Sequence, residues 1–294
     1  MNPTVRRLGA YALLAYALSW AGWLPLALTH QVVRVGGWPT YLPGLLGPAL
    51  AAVVVTIVAA GRDGVRDLAR RILRWRIGWW WLVALSPLAL LGLGYAAAAI
   101  AGQRPAEQDL WLINGFPRWG PVGVVTLLVL VNGLGEETGW RGFLQDSLQR
   151  RVRPLVAMLV VAAVWTGWHA PLFAILDGYR GFTVVTLVGF AIGLACGAVV
   201  LGWLYNRTGS VLAVALWHAT YNLSSATVAA RGLAAVLSTT VVMVGAVLLV
   251  AVDLRTGGRT LRPAAHTPRR TTWTPVEPLP IRGPSRPTAP PAAH

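Results

Sequence analysis

Two adjacent carboxylates, Glu136 and Glu137, interrupt an apolar run that begins at Pro121. Ionisable side chains are costly at membrane depth, so carboxylates in such a run usually mark a functional site. The alternative is a helix end that has surfaced in the membrane interface, where a Glu costs little. Two later apolar segments, Trp165–His169 and His218–Asn222, also carry polar residues. Their presence favours the functional interpretation.

Glu137 lies four residues before Arg141. A Glu at this spacing before an Arg has the favoured geometry for an ion pair on a helix. Glu136 points about 100° away on the same helix and has no such partner. We therefore predict that Glu137 pairs with Arg141 and supports the site, whereas Glu136 stays available as a general base. The alternative is that both carboxylates simply pair with interfacial arginines.

Three further polar residues lie in later apolar segments. A lone His on an apolar helix, such as His169, is usually a packed and hydrogen-bonded residue. His218 and Asn222 stand four residues apart, so a helix places both on one face. There they could bind a carbonyl oxygen, hold a water molecule or coordinate a metal. Together with Glu136, these residues predict a buried hydrolytic site.

The composition is that of a membrane protein, because 55% of the 294 residues are hydrophobic and only 12% are charged. A helix needs about 20 apolar residues to span a bilayer. We therefore predict an all-α polytopic membrane protein of about eight transmembrane helices with a buried polar site. The predicted spans are 8–29, 42–60, 78–101, 120–139, 154–176, 182–204, 210–228 and 233–252.

Three regions follow from this pattern. Residues 1–119 hold the N-terminal transmembrane helices, and residues 120–252 form the core that carries the polar motifs. Residues 253–294 are rich in Pro and Arg, which predicts a disordered cytoplasmic tail. Within the core, glycines recur at four-residue spacing, and this predicts close helix packing in lipid. These glycines are Gly189, Gly193 and Gly197.

The net charge is +15, and all 25 basic residues are arginines. If the N-terminus is inside, 20 of these 25 arginines fall in cytoplasmic segments and in the tail. This asymmetry predicts a multi-pass protein of the cell membrane with both termini in the cytoplasm. The arginines lie between apolar runs rather than in an aromatic-interleaved patch on a soluble domain. We therefore predict that the protein has the lipid bilayer as a partner and does not bind nucleic acid.

The polar motifs resemble those of a known family, the CPBP intramembrane proteases. They read Glu136-Glu137-x-x-x-Arg141, an aromatic-x-x-x-His ending at His169, and His218-x-x-x-Asn222. The family contains type II CAAX prenyl endopeptidases and bacteriocin-processing or self-immunity proteins. The resemblance covers roughly residues 120–226. One departure is Trp165, which stands where the family usually has Phe, and we expect it to alter the shape of the pocket rather than the chemistry.

The resemblance implies hydrolysis of a peptide bond inside the membrane, in a peptide or lipidated-protein substrate. Carried over residue by residue, the catalytic set is Glu136, His169, His218 and Asn222, and the supporting set is Glu137, Arg141 and Trp165. The first two catalytic residues would activate a water molecule. The other two would stabilise the oxyanion.

The resemblance leaves the cofactor open. The family is commonly called metalloprotease, yet the structures of relatives favour a glutamate-dependent mechanism without a catalytic metal. Two histidines and a carboxylate could hold zinc and leave a position for water; those ligands would be Glu136, His169 and His218. However, the sequence has no His-Glu-x-x-His pair, and Asn is an uncommon zinc ligand. We expect no cofactor and no tightly bound metal, with zinc as the alternative.

Two other functions compete with the protease. A transporter or proton relay also uses buried Glu and His, but it would more often show internal repeats, and none is convincing here. A non-catalytic immunity or scaffold protein would be expected to lose part of the polar set, and this chain keeps all of it.

Overall fold

In a computed structural model, residues 3–103 and 105–264 are described, and this part of the chain is helical without a β-strand. The prediction of an all-α polytopic membrane protein is confirmed. We number the principal helices in chain order. They are α1 (Pro3–Leu28), α2 (Gly47–Ile72), α3 (Trp80–Ala84), α4 (Pro87–Ile100), α5 (Gly120–Leu148), α6 (Pro154–Trp168), α7 (Val184–Thr208), α8 (Val211–Ser225) and α9 (Leu233–Arg255).

Six helical segments in the described residues are long and apolar enough to cross a membrane, so the predicted count of eight is not confirmed. They are Thr4–Leu28, Leu42–Ile72, Gly120–Leu148, Pro154–Ile175, Val184–Thr208 and Leu233–Arg255. The predicted spans 78–101 and 210–228 are the two that differ. Each of them holds a helix that is too short.

The reason for the short helices differs between the two regions. In the first, Pro87 has no N–H to continue the hydrogen-bond ladder of α3, so a separate 14-residue helix, α4, starts there. In the second, α8 has only 15 residues, roughly 23 Å at 1.5 Å per residue. Most of α8 is buried by the other helices. A helix surrounded by protein rather than lipid need not match the bilayer thickness.

The helix that carries the two carboxylates, α5, is irregular. Its residues Leu134–Gly139 are α-helical, but π-helical turns precede them at Leu128–Gly133 and follow them at Trp140–Gln145. Such π turns occur often at functional sites. The carboxylates therefore lie in a short α-helical segment between two stretches of widened helix.

Glycines let the backbones of neighbouring helices approach α5 closely at this level. A Cβ at Gly133 would come 2.6 Å from the carbonyl oxygen of Ala215 on α8. A Cβ at Gly139 would come 2.6 Å from the carbonyl oxygen of Pro48 on α2. Real Cβ atoms are not found so close to a backbone oxygen. The absence of side chains at these two positions therefore permits α5 to pack between α2 and α8.

A tight turn joins α7 to α8. Gly209 has φ +63°, a left-handed conformation that suits the glycine at a helix end. Ser210 then caps α8, because its hydroxyl accepts a hydrogen bond from Ala213 N (3.1 Å) and donates one to Arg74 O (2.5 Å). This turn fixes where α8, with its His and Asn, enters the bundle.

The glycine ridge of α7 does not pack as predicted. A Cβ built at Gly189, Gly193 or Gly197 would meet no atom within 4 Å among the described residues. The N-terminal half of α7 is largely exposed instead. Four-residue spacing shows only that a helix could be approached closely, and here no described helix does so.

The predicted tail has an ordered beginning. α9 continues to Arg255, and the side chain of Leu261 beyond it is fully buried. Leu261 N donates to Asp253 Oδ1 (2.8 Å), and Leu261 O accepts from Asn206 Nδ2 (2.7 Å) on α7. The boundary predicted at 253 is therefore too early, and residues 265–294 lie outside the described residues. The division into three regions otherwise stays a prediction.

Candidate functional site

Glu136 is a buried carboxylate, 2% exposed, with a donor at each oxygen. Its Oε1 accepts a hydrogen bond from Asn132 Nδ2 (2.7 Å), one helical turn earlier on α5. Its Oε2 accepts from Trp165 Nε1 (2.7 Å) on α6. The two donors fix the plane of the carboxylate, and each oxygen keeps a further lone pair for a water molecule.

Glu137 points to a different side of α5 from Glu136. Its carboxylate contacts Arg141, which is cationic, and His218, which is cationic only when protonated. Nη1 of Arg141 lies 2.9 Å from both of its carboxylate oxygens, in the contact expected from the four-residue spacing. His218 Nδ1 on α8 lies 2.8 Å from Glu137 Oε1. Glu137 and Arg141 are both fully buried, so no water screens the ion pair. The contact with His218 was not predicted from the sequence.

His169 is the first residue after α6, and a backbone group fixes its tautomer. Its Nδ1 lies 2.7 Å from Trp165 O, a carbonyl at the C-terminal end of α6. A carbonyl oxygen can only accept, so Nδ1 carries the hydrogen and Nε2 of the neutral ring keeps its lone pair. The side chain is half-buried. His169 thus presents a proton-accepting nitrogen.

Trp165 contacts most of the set. Besides its hydrogen bond to Glu136, its ring centroid lies 5.9 Å from that of His169 and 5.6 Å from that of His218. The Arg141 guanidinium carbon lies 4.7 Å from the ring centroid, within cation–π range. The indole N–H gives Trp165 a polar contact that a Phe could not make, in addition to the effect on pocket shape that we predicted.

Asn222 joins this cluster through a residue that sequence reasoning missed. Its Nδ2 donates to the side-chain oxygen of Asn132, and Asn132 in turn donates to Glu136. Asn132 is buried and lies four residues before Glu136. That spacing, together with a polar side chain inside an apolar run, was the signal that could have found it.

The four predicted catalytic residues therefore meet around Trp165 and Asn132. Trp165 contacts both Glu136, through its indole N–H, and His169, through its ring. His218 and Asn222 share one face of α8 but bond to different partners. In both His169 and His218, Nδ1 makes the hydrogen bond to another protein group. Nε2 of each ring therefore points away from that group.

The described residues do not offer a ready metal site. No group of three or more His, Cys, Asp or Glu side chains in this part of the chain is arranged to hold a metal ion. Glu136, His169 and His218, the ligands considered from the sequence, do not form such a group.

The helices and the buried polar cluster define a multi-pass membrane protein with a candidate hydrolytic site. The type II CAAX prenyl endopeptidase Rce1-like family matches residues 118–224, which include every motif residue. The chain is also 27% identical over 195 residues to the CAAX prenyl protease 2 of Methanococcus maripaludis, covering 62% of this chain and 70% of that protein. Both findings support the CPBP family, so the recognition of this family from the motifs is confirmed. This similarity supports an intramembrane endopeptidase.

Proposed function

We propose that the protein cleaves a peptide bond of a membrane-associated substrate with a water molecule activated by Glu136 and His169. The observation that carries this proposal is the pair of proton acceptors beside Trp165. Glu136 is buried with both oxygens oriented, and His169 has its Nε2 lone pair free of the Trp165 carbonyl contact. Both are suited to accept a proton from the same water molecule.

The reaction would proceed in two steps. The oxygen of the water molecule attacks the peptide carbonyl carbon while Glu136 takes its proton, and a tetrahedral oxyanion forms. The C–N bond then breaks, and Glu136 returns the proton to the leaving amine. His169 would orient the water through Nε2. The oxygen and one hydrogen of the water thus end in the new carboxyl group, and its other hydrogen ends in the new amine.

His218 and Asn222 would stabilise the oxyanion. A protonated His218 donates from both nitrogens, with Nδ1 to Glu137 and Nε2 to the oxyanion, and the Glu137 carboxylate neutralises the imidazolium. Asn222 uses one amide hydrogen for Asn132 and keeps a second for the substrate. Donors fixed by buried partners need little reorganisation in the transition state, and this is the basis of oxyanion stabilisation.

The test is a cleavage assay with the purified full chain in liposomes. Its probes are a farnesylated peptide with a C-terminal CAAX sequence, the substrate class in the name of the Methanococcus relative, and a panel of unmodified transmembrane peptides. Products are identified by mass spectrometry. We expect at least one probe to be cleaved by the wild type. Failure of every probe would contradict the proposal and favour the transporter or scaffold alternatives.

We further propose that no tightly bound metal takes part. The purified protein is expected to contain well below one zinc ion per chain by elemental mass spectrometry, and a chelator should leave hydrolysis unchanged. The geometric reason is that Glu136, His169 and His218 do not form a metal-holding group of three among the described residues. One equivalent of zinc, removed by chelator with reversible loss of activity, would reverse this proposal.

We also propose a cell-membrane location with both termini in the cytoplasm. Several arginine-bearing segments meet at one end of the helices. Arg151 Nη2 donates to Thr4 Oγ1 (2.6 Å), and Arg207 Nη2 donates to Thr260 O (2.8 Å). Arginine-rich segments favour the cytoplasmic side. We expect a fluorescent protein fused to either terminus to be bright in cells and a phosphatase fusion to be inactive; the reverse result at either end would contradict this topology.

A further inference from the structure

The last backbone carbonyl groups of α6 need hydrogen-bond donors from outside the helix. The last four carbonyls of a helix have no partner within it, and lipid offers none. One of them, Trp165 O, accepts from the His169 imidazole (2.7 Å). Thr166 O and Gly167 O accept from His169 N (3.2 Å) and Ala170 N (3.1 Å) of the following turn. The last, Trp168 O, needs a donor from elsewhere.

That donor comes from α1. Trp20 Nε1 donates to Trp168 O (2.9 Å), and Tyr16 OH donates to Val164 O (2.6 Å), one helical turn earlier. Tyr16 and Trp20 are four residues apart and so lie on one face of α1. These two bonds hold the carbonyls directly before Trp165 and directly before His169.

The side chain of Trp168 ties the same turn to α1 a third time. Its Nε1 donates to Ser19 Oγ (2.7 Å), and Ser19 Oγ donates to Gly44 O (2.6 Å) before α2. The ring of Trp168 also packs on Trp23 with a centroid distance of 4.7 Å. Trp168 and Ser19 are fully buried. The turn that carries His169 is thus fastened to α1 at several points.

We propose that α1 is a positioning element of the active site, in which Tyr16 and Trp20 fix the turn Val164–His169 and thereby orient the His169 imidazole. This inference rests on the proposed role of His169. The direction of that ring follows from the backbone of the turn, because Nδ1 bonds to Trp165 O within it. α1 lies outside residues 118–224, the part that matches the family.

The physical reason is that proton transfer depends on position. A displacement of about 1 Å at a reacting group can lower a rate by roughly 10²-fold. Without Trp20 Nε1, the carbonyl of the buried Trp168 loses its donor, and without Tyr16 OH the Val164 carbonyl loses its side-chain donor. The turn would then relax to find another partner, and His169 would move with it.

The test uses the double variant Tyr16→Phe/Trp20→Phe, which keeps both rings apolar and aromatic and removes both donors. The matched control is Tyr11→Phe, the same substitution on the same helix, where the hydroxyl has no hydrogen-bond partner among the described residues. We expect kcat of the double variant on the cleaved probe to fall by roughly 10–100-fold with KM little changed. The control should keep wild-type kcat. Wild-type kcat in the double variant would overturn the proposal.

A second measurement separates positioning from general stability. In a His169→Gln background, the double variant should cause no further loss of residual kcat, because the group that it positions is gone. An equal loss in both backgrounds would mean that α1 is only structural. If the double variant does not fold, Tyr16→Phe alone is compared in the same way.

A third readout does not depend on a substrate. In histidine-labelled protein, ¹⁵N shifts of the neutral His169 ring should report hydrogen on Nδ1 in the wild type and a mixture of tautomers in the double variant. Unchanged shifts would overturn the positioning role. If His169→Gln instead retained full turnover, the proposed role of His169 would fail, while the ¹⁵N comparison would still show whether α1 orients the ring.

Discussion

We expect Glu136→Gln to lower kcat for peptide hydrolysis by roughly 10²–10⁴-fold, the range typical of losing a general base. Gln has nearly the same shape but cannot accept the proton of the attacking water. It can still accept one of the two hydrogen bonds that Asn132 and Trp165 now donate to the carboxylate. The variant should therefore fold and insert, with a modest loss of stability from the donor left over.

The measurement is the initial rate on a probe that the wild type cleaves, with protein amount and melting temperature determined in the same detergent. The matched control is Glu107→Gln, because Glu107 is an exposed carboxylate away from the site. The control should retain wild-type kcat. If Glu136→Gln turned over at the wild-type rate, the general base would have to be another residue.

Local spacing within α5 was sufficient to predict part of the site. The ion pair of Glu137 with Arg141 follows from four-residue spacing on one helix, and the sequence predicted it correctly. The polar residues of the candidate site could also be selected from the sequence, because ionisable residues are rare in apolar runs. Both arguments use only neighbours in sequence or composition.

Contacts between helices were not predictable in the same way. Glu137 also binds His218, and Asn222 reaches Glu136 only through Asn132. These pairings depend on how closely α8 approaches α5, which is permitted by the missing side chain at Gly133. Spacing along one chain does not specify the distance between two helices.

The glycine ridge does not pack as predicted, and the count of eight spans is not confirmed, for a related reason. Gly193 lies in a pattern that permits close packing, but no described helix takes up that position. The segment after Ser210 is apolar like a span, yet α8 is a short helix inside the protein. An apolar composition predicts that a segment is removed from water. Burial among other helices achieves this as well as contact with lipid does.

The second large effect concerns stability. Glu137→Gln is expected to destabilise the folded protein by about 3–5 kcal/mol, the cost of leaving one partner of a buried ion pair uncompensated. Arg141 is fully buried and keeps its charge in essentially any environment, so it cannot relieve the penalty by losing a proton. Among the described residues, Glu137 is its only ion-pair partner.

A double variant tests whether the missing charge partner is the cause. Glu137→Gln/Arg141→Met removes both charges and keeps similar volumes, so it should be more stable than Glu137→Gln alone. Unfolding by denaturant in one detergent provides the comparison. Asp63→Asn is the control, since the Asp63–Arg66 pair is exposed and should contribute little. If the single and the double variant lost the same stability, the uncompensated charge of Arg141 would not be the source of the loss, and Glu137 would act mainly through its bond to His218.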